Sequence, residues 1–337
     1  MAAVSAAKGN RTGADILGWA QELVGPALWS SAARLPNSIR RVVDHHFGWS
    51  GGGAGGGKAL RPALVFLFAE AVGGCAKDAV PAAVAVELVH NFSLLHDDVM
   101  DGDAVRRHRP TAWTVFGVPQ AILAGDALLT LGLQVLVEQD SRAVPHLSAA
   151  LWSLVEGQSA DVAFESRRRV GVEECTTMAA GKTGALIGAA CVLGALAGGA
   201  DPERAESARQ YGNHLGLAFQ LVDDTLGIWG DPSVTGKPVF ADLAARKKSL
   251  PVVAALTSGT AQGEELAALY GQPGALDEAA LRRAAELVEE AGGRRWCEAR
   301  AAGHVRAALG CLEALGAASG PRGDLDALAA MVVGRDR

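Results

Sequence analysis

Little in this chain favours a β-sheet. Aromatic residues are 5% of its 337 positions, β-branched runs are short, and no stretch alternates polar and apolar residues for long enough to build strands. Cysteine is sparse too. Cys75, Cys175, Cys191, Cys297 and Cys311 are odd in number, scattered and without CxxC spacing, which argues against a disulfide framework and against a cysteine zinc site. A reducing cytosol fits that pattern, and a cytoplasmic location is the expectation. Positive charge is not in excess: a net charge of −6 and a pI near 5.8 leave no footprint for nucleic acid or for an anionic membrane. Any anionic ligand must then be met by local basic clusters or by metal. The N-terminus has no uninterrupted apolar core, because Asp15 and Glu22 fall inside its first apolar pattern, so no secretory signal is expected. Residues 183 to 200 are uncharged and reach spanning length, but they are mostly Gly and Ala. We read them as a buried, tightly packed helix and expect no transmembrane segment.

What the chain does have is alanine, leucine and helical periodicity. Hydrophobic residues make up 49% of it, enough to bury a large core, and amphipathic stretches recur between Gly, Pro and Asp breaks. The expectation is all-α. Residues 11 to 48 read as one or two amphipathic helices, followed by a glycine-rich loop from Gly51 to Gly57. The chemical core runs from about 56 to 256, and residues 257 to 337 alternate charge and alanine in the manner of solvated outer helices. With no solenoid-length repeat and no rich linker, a single domain spanning 1–337 is expected.

Two acidic segments sit inside apolar helical stretches: Asp97-Asp98-Val99-Met100-Asp101, after ELVHNFSLLH, and Asp223-Asp224, after GLAFQLV. A carboxylate among apolar neighbours is costly to desolvate unless a cation or hydrogen bonds compensate it. Residues four apart on a helix lie about 40° apart around the axis and about 6 Å along it, so Asp97 and Asp101 share a face, and His90 lies on it too. Oxygen ligands with room for water suit Mg²⁺, whose shell is commonly completed by substrate phosphate. Two such segments suggest a diphosphate clamp.

Basic motifs flank them. GGGAGGGK, residues 51 to 58, satisfies the spacing of a phosphate loop, but Ala59 stands where Ser or Thr should ligate the metal and no strand precedes it, so that reading fails. What remains is GGKALRP, with Lys58 and Arg61 three apart at a helix start. After the first acidic segment comes the pair Arg106-Arg107, within GDAVRRHRPT, which could grip a diphosphate with guanidinium forks.

As a set, GGKALRP, ELVHNFSLLHDDVMDGDAVRRHRPT, GKTGALIG, YGNHLGLAFQLVDDTLGIWGD and TGKPVFADLAARKKSLP resemble the trans-isoprenyl diphosphate synthases, also called polyprenyl synthetases, of the short-chain type. The resemblance covers about Gly56 to Ala255. It implies the type I isoprenoid synthase fold, a helical bundle around a deep central cavity with the two Asp-rich helices facing each other at its mouth. It implies a Mg²⁺-dependent prenyltransferase joining isopentenyl diphosphate to dimethylallyl, geranyl or farnesyl diphosphate, and a homodimer. Carried over by position, Asp97 and Asp101 would bind two Mg²⁺ and Asp223 a third, with Asp98 and Asp224 supporting them. Arg106, Lys182 and Lys237 would hold the allylic diphosphate, with Lys247 beside them. Lys58, Arg61, His90 and Arg107 would bind isopentenyl diphosphate, and Thr183 and Gln220 would set oxygen dipoles near the developing cation.

The sequence departs from the family pattern in places. Gly227 stands where many relatives carry a third Asp of the second motif, and His108 takes the usual glycine position after the arginine pair. Product length in the family depends on side chains one or two turns before the first acidic motif, which makes Phe92 and Ser93 the candidates. One aromatic beside one small residue resembles producers of geranylgeranyl diphosphate more than farnesyl diphosphate synthases. Two other classes stay open: a terpene cyclase on the same scaffold, and a regulatory subunit of a heteromeric synthase.

Overall fold

A computed structural model describes residues 11–51, 57–232 and 238–334. Helices account for nearly all of its regular structure; the one sheet among the described residues is an antiparallel ribbon, Val105–Arg106 with Arg109–Pro110. The residues gather into two compact units, the first made of Met1–Ser148, Ala189–Arg209 and Cys311–Ala329, the second of Ala149–Gly188, Gln210–Gly310 and Ala330–Arg337.

The first unit opens with α1, Gly13–Ala32, whose N-cap Thr12 shares a capping box with Asp15. Its buried stripe, Ile16, Ala20, Val24, Leu28 and Ala32, recurs every fourth residue. Helix α2, Asn37–Phe47, ends at Gly48, whose φ of 83° allows the left-handed turn. Helix α3, Leu60–Ala71, is apolar and buried along nearly its whole length. Then come α4, Val80–Met100, with a proline in its first turn, the short α5, Ala112–Phe116, and α6, Val118–Gln139; α4 and α6 pack along each other. The Gly/Ala-rich stretch read as tightly packed is so: a Cβ at Gly194 would lie 2.1 Å from the Val65 carbonyl oxygen of α3. Only a residue without a side chain fits.

The second unit holds the later part of α7, Val144–Ser166, and α8, Val172–Ala179. Residues 180–184 follow α8 as a π turn, and α9 is Ala185–Ala197. The unit also contains α10 from Gln210 to its end at Trp229, a short helix Ala241–Ala244 and the helix Leu250–Leu256. One core joins Phe164, Cys175, Met178, Leu221, Val222, Leu250 and Val253; another joins Ile228, Leu243, Val252, Leu266, Ala284 and Leu287. On the later helices, Arg283 pairs with Glu265 at 2.9 Å and with Glu286 at 3.3 Å.

Three helical stretches, Ala76–Met100, Val118–Gln139 and Val172–Ala197, are long and apolar enough to cross a membrane by length and composition. Packing accounts for much of that character, since 67%, 44% and 67% of their apolar windows are buried inside the fold.

Candidate active site

In the first unit the acidic segment forms the last turn of α4. Asp97 is half-buried, Asp98 has 1% of its side chain exposed, and Asp101, the C-cap residue, is exposed. The inward carboxylate is held by the ribbon: Arg106 Nε donates to Asp98 Oδ1 at 2.5 Å. Burial pushes the Asp98 pKa upward, and the Arg106 guanidinium opposes that shift. Asp98 Oδ2 is buried without a hydrogen-bond partner. Asp98 therefore anchors Arg106, while the more accessible Asp97 and Asp101 lie one turn apart on the same helix.

The ribbon turns at Arg107 and His108, with φ of 51° and 59°. Positive φ at both central residues is the pattern of a type I′ hairpin, which Asn-Gly usually supplies. The tight turn leaves Arg106, Arg107 and Arg109 in one recess with His45, His46 and Asp98. Arg109 donates to the His45 and His46 carbonyls at 2.8 and 3.0 Å, adding donors to the exposed carbonyl end of α2. The Arg107 guanidinium lies against Gly57, where a Cβ would come within 2.7 Å of Nη2; this brings the RR pair to the GGK motif.

Behind the recess is a buried polar network. His46 Nε2 donates to Asn91 Oδ1 at 3.1 Å, and Asn91 Nδ2 donates to Glu87 Oε1 at 3.1 Å and to the Glu87 carbonyl at 2.8 Å. Burial raises the Glu87 pKa, with Arg61 and Arg107 pulling the other way. Burial also lowers Arg61 to about 10, and its Nε is buried without a partner. His46 falls to about 3, and His90 well below its ordinary value, both chiefly through desolvation and then through the arginines around them. Both imidazoles are neutral at pH 7, whereas Arg61, at about 10, keeps its charge. Arg61, Arg106, Arg107 and Arg109 together outweigh the carboxylates of Glu87 and Asp98, so this part of the unit attracts an anion. Of the expected isopentenyl diphosphate set, Arg61, His90 and Arg107 feel one another's charge, and Lys58 is exposed next to Gly57.

Upstream on α4, Phe92 is 8% exposed and packs edge-on against His96, their ring centroids 4.8 Å apart. Ser93 is half-buried and donates its hydroxyl to the His90 carbonyl at 2.8 Å.

In the second unit the GKT motif forms the π turn, residues 180–184, an i→i+5 bulge of the kind that often marks functional positions. Lys182 Nζ sits 2.6 Å from Asp161 Oδ2 of α7. From Thr183 a chain of donors runs inward. Thr183 Oγ1 donates to Gln220 Oε1 at 2.6 Å, Gln220 Nε2 donates to Asp224 Oδ1 at 2.6 Å, and the Leu250 N–H donates to Asp224 Oδ2 at 2.8 Å. Asp223 is exposed, and Asp224 is buried and pushed up to about 7, mainly by desolvation, against the pull of Lys247. Asp224, expected among the metal ligands, has each of its oxygens committed to an N–H donor. Each acidic pair thus has an accessible first residue and a buried second one.

The Asp242 carboxylate lies against Gly227: a Cβ there would be 2.3 Å from Asp242 Oδ2. Lys237 lies outside the described residues, as do Gly52 to Gly56 of the glycine loop and the C-terminal Arg335 and Arg337.

Sequence reading missed Asp161, Asp242, Arg109 and the His46–Asn91–Glu87 network. Glu87 and Asn91 carried a signal, as polar residues one turn apart in an apolar helix. Among the described residues no three His, Cys, Asp or Glu side chains close around one point as a metal cage. Within the first unit, Asp97 and Asp101 offer carboxylate oxygens on one helix, and the adjacent Asp98 has a buried oxygen, Oδ2, without a hydrogen-bond partner. That donor set fits a hard cation that keeps part of its shell for water and phosphate.

Residues 53–288 match the polyprenyl synthetase family. A (2E,6E)-farnesyl diphosphate synthase of Mycobacterium tuberculosis is 48% identical over 336 residues, covering 95% of this chain and 92% of that protein. A geranylgeranyl diphosphate synthase of the same organism is 46% identical over 298 residues, 86% of this chain and 85% of its own length. The crystal structure of a polyprenyl synthetase from Streptomyces coelicolor A3(2) superposes with a TM-score of 0.90 at 47% identity, covering 94% of this chain and 98% of that one. Acidic motifs built on paired aspartates, the arginine ribbon and the GKT turn thus occur on a fold and a sequence shared with prenyl diphosphate synthases, and the chain belongs to the polyprenyl synthetase family.

Proposed function

We propose that this protein is a short-chain trans-isoprenyl diphosphate synthase that condenses isopentenyl diphosphate with dimethylallyl, geranyl or farnesyl diphosphate, with geranylgeranyl diphosphate as its main product. One observation carries the reading: the chain gathers a cationic cluster in which the buried Arg61 and the neutral His90 feel the charge of Arg107, and Arg107 lines a recess with Arg106 and Arg109. A second diphosphate needs such a place. A cyclase, which traps its cation internally, does not.

In this reading Asp97 and Asp101 would hold two Mg²⁺ and Asp223 a third, with Asp98 and Asp224 supporting them. When bound, the ions would supply charge neutralisation for a departing diphosphate. Arg106 of the first unit and Lys182, Lys237 and Lys247 of the second are assigned to the allylic diphosphate, where their charge would stabilise the negative charge that grows as the C–O bond breaks. The Thr183 hydroxyl has given its hydrogen to Gln220, so what it offers elsewhere is a lone pair, which suits an allylic cation. Lys58, Arg61, His90 and Arg107 fix isopentenyl diphosphate so that its double bond adds to that cation, and a proton is then lost. Phe92 and Ser93 bound the length of the growing chain.

The product assignment rests on one buried aromatic beside a small residue. The alternative product, farnesyl diphosphate, is supported by the name of the relative at 48% identity. We also place the enzyme in the cytoplasm as a homodimer. All five cysteines are free, which suits a reducing compartment. Trp152, Val155 and Val162 leave an apolar face of α7 70%, 50% and 45% exposed, as a self-association surface would.

Mass-resolved product analysis of the purified protein with Mg²⁺, isopentenyl diphosphate and each starter tests the assignment. A C20 diphosphate is expected. A hydrocarbon from farnesyl or geranylgeranyl diphosphate alone would indicate a cyclase, and no turnover without a partner would indicate a regulatory subunit.

A further inference from the structure

Phe92 can limit a growing chain only if its ring stays put, and the ring has a neighbour that is anchored to a second helix. The ring rests edge-on, at 71°, against His96 one turn later on the same helix. His96 is fixed from outside α4. Its Nε2 is 3.0 Å from the Ile122 carbonyl of α6, and because a carbonyl only accepts, Nε2 carries the hydrogen. Asp126 Oδ1, also on α6, lies 3.7 Å from the same nitrogen. The approach is possible because residue 125 is glycine: a Cβ there would stand 2.3 Å from His96 Nε2 and 2.4 Å from Cδ2. One imidazole is therefore seated in a notch of α6 by a hydrogen bond and presents its flank to Phe92.

We infer that His96, seated by Ile122 and Gly125, is a positioning residue for product length that buttresses the Phe92 ring. The inference rests on the reading above that Phe92 bounds the growing chain. His96 touches neither substrate nor diphosphate in this role. A residue that mattered only for folding would change how much product forms, not how long it is.

The test compares His96→Ala, His96→Gln, Gly125→Ala and Phe92→Ala, reading principal product length at equal turnover. His96→Gln keeps a donor for the Ile122 carbonyl but loses the ring, and so separates the buttress from the anchor. His96→Ala and His96→Gln are expected to move the principal product up by at least one five-carbon unit. Gly125→Ala is expected to broaden the distribution, because the displaced ring takes Phe92 with it. Wild-type lengths in the His96 variants, alongside lengthening in Phe92→Ala, would overturn the buttress and leave the role of Phe92 standing. Unchanged lengths in Phe92→Ala would overturn that role, and the inference with it. Should His96→Ala fail to fold, His96→Gln and Gly125→Ala decide: wild-type distributions in both would count against the inference.

Discussion

Asp224 accepts the N–H of Leu250 at 2.8 Å, so the buried member of the second acidic pair ties α10 to the first turn of the helix Leu250–Leu256. Its neighbour Asp223 is exposed, and the two aspartates should fail in different ways. Asp224→Ala leaves a buried N–H and the Gln220 amide unpaired and should cost about 1–3 kcal/mol of stability, visible as a lower Tm. Asp223→Ala should keep the Tm and lose at least about 10²-fold in Mg²⁺-dependent turnover, the scale seen when one charge-stabilising group is removed. Equal Tm losses in both would contradict this division of labour.

Gly157 of α7 lets that helix meet the π turn at close range. A Cβ there would be 2.4 Å from Lys182 N and 2.9 Å from the Met178 carbonyl oxygen, both backbone atoms that cannot swing aside. Gly157→Ala is expected to cost about 1–3 kcal/mol through overpacking and to raise the KM for the allylic diphosphate by displacing Lys182. An unchanged Tm and KM would show that the contact is slack.

Acid should weaken the fold at His46. Its folded pKa of about 3 lies below its ordinary 6.5, so the unfolded chain binds more protons between those values. This histidine's contribution is complete above pH 6.5 and is lost as pH falls toward 3, with a slope of at most about 1.4 kcal/mol per pH unit. Arg106, Arg107 and Arg109 oppose its protonation, and Asn91 favours it. Urea unfolding of His46→Gln between pH 7 and 5 should show a shallower pH dependence than the parent; parallel curves would reject the assignment.

The left-handed φ of His108 costs a residue with a side chain energy that glycine would not spend. His108→Gly should raise stability by up to about 1 kcal/mol once the greater freedom of the unfolded glycine is deducted, whereas His108→Val should lower it. A reversed order in thermal unfolding would count against a strained turn.

Trp152, 70% exposed, should be covered in a dimer. Trp152→Glu is expected to shift the molecular mass in light scattering from two chains to one. A monomeric parent protein would dispose of the surface argument.

The helical class and the positions of the acidic segments were legible because apolar periodicity and isolated carboxylates are local signals. Residues 11 to 48 resolve into α1 and α2, as their pattern allowed, and ELVHNFSLLHDDVM lies wholly within α4. Other features depend on partners distant in sequence. Nothing in EGQSADVAFE says that Asp161 meets Lys182, 21 positions later. The Arg107-His108 turn was not legible because Arg107 has no preference for positive φ, even though histidine is among the residues that tolerate it; a tertiary role for the arginines overrides propensity there. Gly227 read as the loss of an acid, yet its missing side chain is the space that Asp242 fills. AGKTGAL reads as ordinary helix, because a π turn leaves no mark in composition.

That extra loop of backbone at residues 180–184 also governs which length changes the gene can tolerate. Each residue advances a helix by about 100°, so losing one codon within the turn would restore regular winding and rotate Thr183 away from the Gln220 amide. Point substitutions there alter a contact, whereas a frame-preserving deletion resets the register of the motif itself.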